Sequence, residues 1–279
     1  MEHVRWAGDV PTLDEPVLIF AFEGWSDAGD SASTALQWLR DRCAGEPLAE
    51  IDGEEFYDFT ATRPHVLLED GVTRSIEWPT VDLTWGDGCG RDVVTMLGHE
   101  PQLRWRTFAR QVLDVADSLG VGFVLSFGAL LTDVPHTVDT SIIGTSTDQA
   151  IIDRFGLQRS GYEGPTGIVG VLHDTLSRAG LPSASLWAPV PAYVPGAPSP
   201  KGALALIRRA GQILDVGFTT TDLEIESAAY ERQVSSVVAQ DEEMTEYVEQ
   251  LEQRYAEERQ VPSPDELVAE VERFLREQS

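Results

Sequence analysis

The stretch Val17-Leu18-Ile19-Phe20-Ala21-Phe22, followed by Glu23-Gly24-Trp25-Ser26-Asp27-Ala28-Gly29-Asp30, decides the fold class of this chain. A continuous apolar run that ends at a glycine and a Ser/Asp pair predicts a buried strand leading into a helix. Open α/β folds place their ligands in loops of this kind, at the carboxyl ends of parallel strands. The loop carries three carboxylates and a tryptophan but no lysine or arginine. It therefore does not resemble a phosphate-binding loop.

Apolar strands and amphipathic helices alternate along the rest of the first 218 residues. Further strands are predicted at 93–97, 121–127 and 184–190. Helices are predicted at 28–40, 101–119, 167–179 and 201–216. This alternation predicts an α/β domain over residues 1–218, with a mostly parallel central sheet that is covered on both faces. Short strand-like pieces in residues 56–85 predict an antiparallel elaboration at a sheet edge.

The sequence changes character after Phe218. Three amphipathic helical stretches follow, around 234–238, 244–255 and 267–275, with narrow apolar stripes and acidic outer faces. They predict a second unit, an acidic helical C-terminal extension over residues 219–279. Its apolar stripes must be buried on the α/β body or on another subunit.

Composition excludes several classes of partner. The formal net charge is −27 over 279 residues, which disfavours nucleic acid and anionic membranes because both require a basic surface. Cys43 and Cys89 show no metal-ligand spacing, so reduced thiols are expected. The N-terminus lacks the pattern of a signal peptide, and no apolar run is long enough to span a membrane. These features predict a cytoplasmic protein.

Five ordered stretches resemble the bacterial, actinobacterial-type branch of the proteasome assembly chaperone 2 (PAC2) family. They are Glu23-Gly24-Trp25-Ser26-Asp27-Ala28-Gly29, Gly98-His99-Glu100-Pro101 with Arg104-Trp105-Arg106, Gly128-Ala129-Leu130-Leu131-Thr132-Asp133-Val134-Pro135-His136-Thr137, Tyr162-Glu163-Gly164-Pro165-Thr166-Gly167, and a proline-rich run ending at Pro200-Lys201. The resemblance implies a three-layer α/β/α fold akin to nucleoside phosphorylases, a C-terminal helical extension, and self-association, with a trimer expected. It implies other proteins as partners, no established enzymatic activity and no cofactor.

The C-terminal residues depart from part of that family. Eukaryotic and archaeal relatives can dock on proteasome rings through a hydrophobic-Tyr-X tail, whereas this sequence ends Phe274-Leu275-Arg276-Glu277-Gln278-Ser279. Docking on a proteasome by that route is therefore not expected.

Three residues are candidates for catalysis. Asp133 and His136 follow a buried strand, where a carboxylate could orient an imidazole as a general base. The same pair could instead cap a helix or brace a turn. Glu163 precedes a helix whose N-terminus could bind an anion, although its own charge would repel one.

Five residues are candidates for ligand binding: Trp25, Asp27, Arg63, Glu100 and Arg104. Trp25 could stack on a base or anchor an interface, and Asp27 could equally cap the following helix. Arg63 is a polar group near a strand end. Glu100 at a helix start could simply complement the helix dipole, and Arg104 could bind a carboxylate or phosphate.

A divalent metal site is a further, weaker possibility. It would use Asp27, Asp30, Asp133, His136 and Glu163, but their spacing is not that of metal ligands, so no metal is predicted.

Two functions remain open from the sequence. The first is a non-catalytic, chaperone-like oligomer that binds proteins through its helical extension and acidic surface. The second is a nucleoside- or phosphoester-type phosphorylase, hydrolase or ligand-binding protein, which rests on fold analogy. A cleft that gathers the candidate side chains would favour the second, and side chains bonded to one another would favour the first.

Overall fold

A computed structural model describes residues 2–260 and has an eight-stranded mixed sheet at its centre. The strands are β1 (Val4–Trp6), β2 (Val17–Glu23), β3 (Glu46–Ile51), β6 (Val81–Gly86), β7 (Val93–His99), β8 (Phe123–Thr132), β9 (Ile143–Thr145) and β10 (Ser183–Pro191). Their order across the sheet is β1-β3-β6-β7-β2-β8-β10-β9. The central strands β7, β2, β8 and β10 are parallel, and the outer strands on both sides are antiparallel.

Helices cover both faces of this sheet. They are α1 (Ser31–Cys43), α2 (Trp105–Leu119), α3 (Gln149–Phe155), α4 (Ile168–Arg178), α5 (Pro200–Leu214), α6 (Thr221–Val238) and α7 (Glu242–Gln260). Alternate residues of β2 point to opposite faces: Ile19 belongs to the core under α1 and α5, and Phe20 to the core under α2 and α4. The predicted three-layer α/β/α fold is therefore confirmed.

The first predicted helix begins later than the sequence pattern indicated. Residues 28–30 form a short 3-10 turn in which Gly29 and Asp30 have φ values of 57° and 50°. Positive φ values are incompatible with a continuing right-handed helix, so α1 begins at Ser31. Similarly, α2 begins at Trp105 and not at Pro101, because Arg104 is left-handed and the amides of Gln102 and Leu103 donate to the Phe56 carbonyl.

The prediction for residues 56–85 is only half right. Strand β6 does pair with β7 in the main sheet, but β4 (His65–Glu69) and β5 (Thr73–Glu77) form a separate two-stranded hairpin. The short elements β1, β9 and α3 have too few residues to show a period, so the sequence does not predict them.

The expectation of reduced thiols is wrong for this structure. Cys43, at the end of α1, is joined by a disulfide to Cys89, with a Cα–Cα distance of 5.0 Å. Two glycines allow this approach. A Cβ added to Gly86 would lie 2.6 Å from the Cys43 carbonyl oxygen, and one added to Gly88 would lie 2.5 Å from that of Arg42.

Helices α6 and α7 lie against the α/β body through α5 and the segment that follows β10. Leu223 of α6 is buried in the core under α1 and α5. The apolar side chains of Tyr230, Val234, Val238 and Val248 form a separate cluster with Tyr193, Val194, Ala197 and Met244. We call α6 and α7 together the helical arm. The third predicted helical stretch, around 267–275, lies outside the described residues.

No helix within residues 2–260 is both long and apolar enough to cross a membrane.

Candidate functional site

Three of the sequence motifs meet at the carboxyl ends of the parallel strands. Glu100, just after β7, accepts a hydrogen bond from the backbone amide of Ile168 at 2.7 Å. A Cβ on Gly167 would lie 2.6 Å from Glu100 Oε1 and 2.8 Å from Trp25 Cε3. A larger residue at position 167 would therefore have to displace the Glu100 and Trp25 side chains. Glu100 does complement a helix N-terminus, as expected, but the helix is α4 and not α2.

Asp27 is buried and caps α1. Its carboxylate accepts hydrogen bonds from the amides of Ala32 at 2.6 Å and Ser33 at 3.2 Å, and from the Ser33 hydroxyl at 2.5 Å. Burial raises the pKa of Asp27, and the bonds from Ser33 oppose that rise. With these bonds in place the carboxylate acts as a helix cap, the alternative that the sequence left open. The neighbouring Trp25 is 61% exposed.

His136 is buried with both ring nitrogens in hydrogen bonds. Nδ1 lies 2.7 Å from the Tyr193 hydroxyl, and Nε2 lies 2.8 Å from the Ser235 hydroxyl of α6. Burial lowers the pKa of His136, so the ring is neutral near pH 7. Asp133 does not orient this ring, because both ring nitrogens are bonded to other side chains. Its carboxylate instead accepts a hydrogen bond from Tyr247 at 3.0 Å. The pair therefore holds the helical arm in place and does not form a general-base dyad.

Lys201 completes this attachment. Its ammonium donates to the His136 carbonyl at 2.6 Å and to Glu231 of α6 at 2.7 Å. The Thr137 hydroxyl also donates to Glu252 of α7. Loop residues that the sequence marked as catalytic candidates thus connect the body to the helical arm.

The remaining candidates do not converge with these groups. Arg104 forms an ion pair with Glu55 through one of its guanidinium nitrogens. Glu163 is exposed in the loop before α4. Arg63 lines a separate cleft of about 350 Å³, beside Trp78 and the pair formed by Glu23 and His99. Among the residues that the structure describes, no group of three His, Cys, Asp or Glu side chains is arranged to hold a metal ion.

The Glu23–His99 pair was missed in the sequence analysis. These residues are register partners at the ends of β2 and β7, and Glu23 Oε2 lies 2.8 Å from His99 Nδ1. Each residue is about half exposed, and the hydrogen bond raises the pKa of His99 and lowers that of Glu23. The available signal was that two apolar strands end in Glu23 and His99, but only their pairing in the sheet brings them together.

We expect Glu23→Gln to lower the pKa of His99 toward its ordinary value, because the substitution removes the carboxylate that favours imidazolium. A pH titration of the His99 Hε1 NMR resonance measures this change. The titration of His136 serves as the internal control and should not move. An unchanged His99 pKa would contradict the pairing.

The same shift sets the sign of a pH effect on stability. Because the folded pKa of His99 is raised, its contribution is fully present below the unfolded value and is lost as pH rises through the folded value. Exposure to solvent limits the size of this effect.

Comparison with other proteins gives one family and one fold. Residues 21–238 match the PAC2 family. The crystal structure of a proteasome-assembly chaperone homologue from Mycobacterium tuberculosis is 44% identical, with a TM-score of 0.75 over 83% of this chain and 99% of that chain. A PAC2 family protein from Streptomyces avermitilis is 41% identical, with a TM-score of 0.76 over 84% and 99% of the two chains.

A more distant structure shares the fold alone. An archaeal proteasome activator from Pyrococcus furiosus is 16% identical, with a TM-score of 0.67 over 84% of this chain and 97% of that chain. No curated protein matches the chain. The expected likeness to nucleoside phosphorylases is not confirmed by these relatives.

Proposed function

This chain belongs to the PAC2 family, and from that premise we propose that it is a non-catalytic, chaperone-like protein that self-associates and binds other proteins. The observation that carries the self-association is an exposed apolar surface on the β4–β5 hairpin. The names of its relatives support the chaperone-like role, since one is a proteasome-assembly chaperone homologue. The use of Asp27, Asp133 and His136 as structural anchors also supports it.

One face of the hairpin is apolar and open to solvent. Val66 pairs with Ile76 across the two strands, and Leu68 pairs with Arg74, so these four side chains share a face. Val66, Leu68 and Ile76 are 61%, 60% and 56% exposed. Val72 in the connecting turn is also exposed. Contiguous exposed apolar groups of this kind mark protein interaction sites.

The hairpin also has open hydrogen-bonding edges. Within residues 2–260, β4 and β5 pair only with each other and not with the main sheet. A two-stranded hairpin is marginally stable on its own, and its unpaired edges are templates for another chain. A partner that covers this face would therefore stabilise the hairpin as well as bind to it.

We assign the face to a second copy of this chain, in a trimer. A copy is present wherever the protein is, so a marginal hairpin can depend on it during folding. The apolar contact also has to overcome repulsion between chains of net charge −27. The apolar face is suited to a contact between two such negatively charged chains, because Arg74 is the only charged side chain among its four residues. The bound proteins would then meet other surfaces of the oligomer.

The second candidate function, a small-molecule hydrolase, rests on the Glu23–His99 pair. A carboxylate bonded to an imidazole in an open cleft at the carboxyl end of parallel strands is an arrangement that can activate water. The Thr80 hydroxyl that lines the same cleft donates to Asp82 and not to the pair, so it is not activated as a nucleophile by His99. Binding of proteins is therefore the better supported function.

The test is a substitution on the apolar face. We expect Ile76→Asp to reduce the mass in solution from that of a trimer to that of one chain, because it places a charge in the buried contact. Light scattering coupled to size-exclusion chromatography measures the mass. Thr73→Asp adds the same charge to the opposite face of the same hairpin and should leave the mass unchanged. Equal masses for the two variants would refute the assignment.

A further inference from the structure

A cavity of about 240 Å³ lies between the α/β body and the helical arm. Its floor is at the carboxyl ends of β8 and β10, where Thr132, Pro189 and Pro191 line it. The loop between β8 and β9 forms one wall, and Tyr230 of α6 and Tyr255 of α7 close the other side. Neither the family relationship nor the proposed protein binding assigns a role to it.

We propose that this cavity binds a small neutral molecule with an apolar ring-sized body and a hydroxyl or carbonyl group. The position supports a ligand site, because open α/β sheets bind ligands beyond the carboxyl ends of their strands. The lining of the cavity also supports a ligand site, because the wall formed by the loop is largely apolar, with Val134, Pro135, Val138 and Ile143. Apolar clefts with a few polar groups are typical of small-molecule sites.

The polar groups in the walls decide which ligand chemistry fits. The hydroxyls of Thr132 and Tyr230 are buried without a hydrogen-bond partner. Burial raises the pKa of Tyr230, and the Ser199 side chain opposes that rise. The hydroxyls of Ser199 and Tyr230 are nevertheless not placed well enough to form a hydrogen bond. A buried hydroxyl without a partner is unfavourable, so these two lining residues, Thr132 and Tyr230, have unused hydrogen-bonding capacity. Neither oxygen is itself exposed to the cavity, so a ligand hydroxyl or carbonyl would bond to it only after the side chain of Thr132 or Tyr230 turns toward the ligand.

The charges around the cavity disfavour an anion. Lys201 is the cation in the lining, and its ammonium is already bonded to Glu231 and to the His136 carbonyl. Asp139 adds a carboxylate to the same lining. An anionic ligand would compete with Glu231 and meet Asp139, whereas a neutral ligand meets neither cost.

The helical arm would report on binding. The bonds from Ser235 to His136 and from Tyr247 to Asp133 hold the arm over the cavity. A ligand between arm and body binds only when the arm is docked, so it should stabilise the docked state by mass action.

The test uses 4-fluorophenol as a probe, followed by its ¹⁹F NMR signal in the presence of the full chain. We expect saturable binding in the millimolar range or tighter, and at least tenfold weaker binding of 4-fluorobenzoate. Val138→Trp should weaken phenol binding at least tenfold by filling the cavity. Val237→Trp, at an exposed position of α6, should not change it.

A milder variant guards against misfolding of the tryptophan variant. Tyr230→Phe removes one hydroxyl and should weaken 4-fluorophenol binding about 2- to 10-fold, the equivalent of one hydrogen bond. Absence of saturable binding, equal binding to Val138→Trp, or equal binding of phenol and benzoate would each overturn the proposal. Unchanged binding to Tyr230→Phe would overturn the role of that hydroxyl.

Discussion

Replacing Val234 by Asp is expected to lower the free energy of unfolding by about 3 kcal/mol or more, because it buries a charge without a partner. Val234 is 4% exposed and lies in the apolar cluster with Tyr230 and Val248 that joins the arm to Tyr193 and Val194. The arm cannot detach freely to relieve this cost. Leu223 is inserted in the main core, and Asp222 accepts a hydrogen bond from the Trp38 indole at 2.8 Å.

The same helix offers a matched control. Val237 is 55% exposed, so Val237→Asp should change the free energy of unfolding by no more than about 0.5 kcal/mol. Urea unfolding followed by tryptophan fluorescence measures both variants, and limited proteolysis shows whether the arm is released first. Equal stability of the two variants would mean that the arm is not docked as described.

Replacing Asp27 by Ala is expected to lower the free energy of unfolding by about 2–3 kcal/mol, because one buried and two partly buried donors at the start of α1 lose their acceptor. Those donors are the amides of Ala32 and Ser33 and the Ser33 hydroxyl. Asp27→Asn keeps an acceptor oxygen at the same place and removes a charge that burial disfavours. We therefore expect the Asn variant to remain within about 1 kcal/mol of the original chain at pH 7.

A stability comparison of the two variants separates capping from ligand binding. If Asp27 served a ligand and not the helix, Ala and Asn would both leave the unfolding midpoint in urea unchanged. The pH dependence adds a second readout. Because the folded pKa of Asp27 is raised, its stabilising contribution is present at low pH and declines as pH rises through that pKa. The Asn variant should lack this dependence.

The sequence predicted the parts of the fold that have a strong period. The apolar run at Val17–Phe22 is buried on both faces of the sheet, as a central parallel strand must be. The stripes of α6 likewise predicted a helix that needs a partner surface. The bounds of α1 and α2 could not be predicted as well, because positive φ values at Asp30 and Arg104 depend on contacts made elsewhere in the fold.

The candidate site was predicted in position but not in role. Asp133 and His136 do lie at the carboxyl end of β8. Their hydrogen-bond partners in the helical arm, however, lie about a hundred positions later in the sequence. Sequence spacing cannot show which distant helix will take up a hydrogen bond. The Glu23–His99 pair and the Cys43–Cys89 disulfide were missed for the same reason, since both depend on the pairing and packing of distant segments.

The most direct test of the central claim is hydrogen–deuterium exchange at the amides of β4 and β5 in the full chain. If a second copy covers the hairpin, these amides should be strongly protected, and Ile76→Asp should remove that protection while Thr73→Asp preserves it. Exchange of the hairpin amides in the original chain as fast as that of the exposed loop amides of Gly161, Glu163 and Gly164 would contradict the account. Protection that persists fully in Ile76→Asp would contradict it as well.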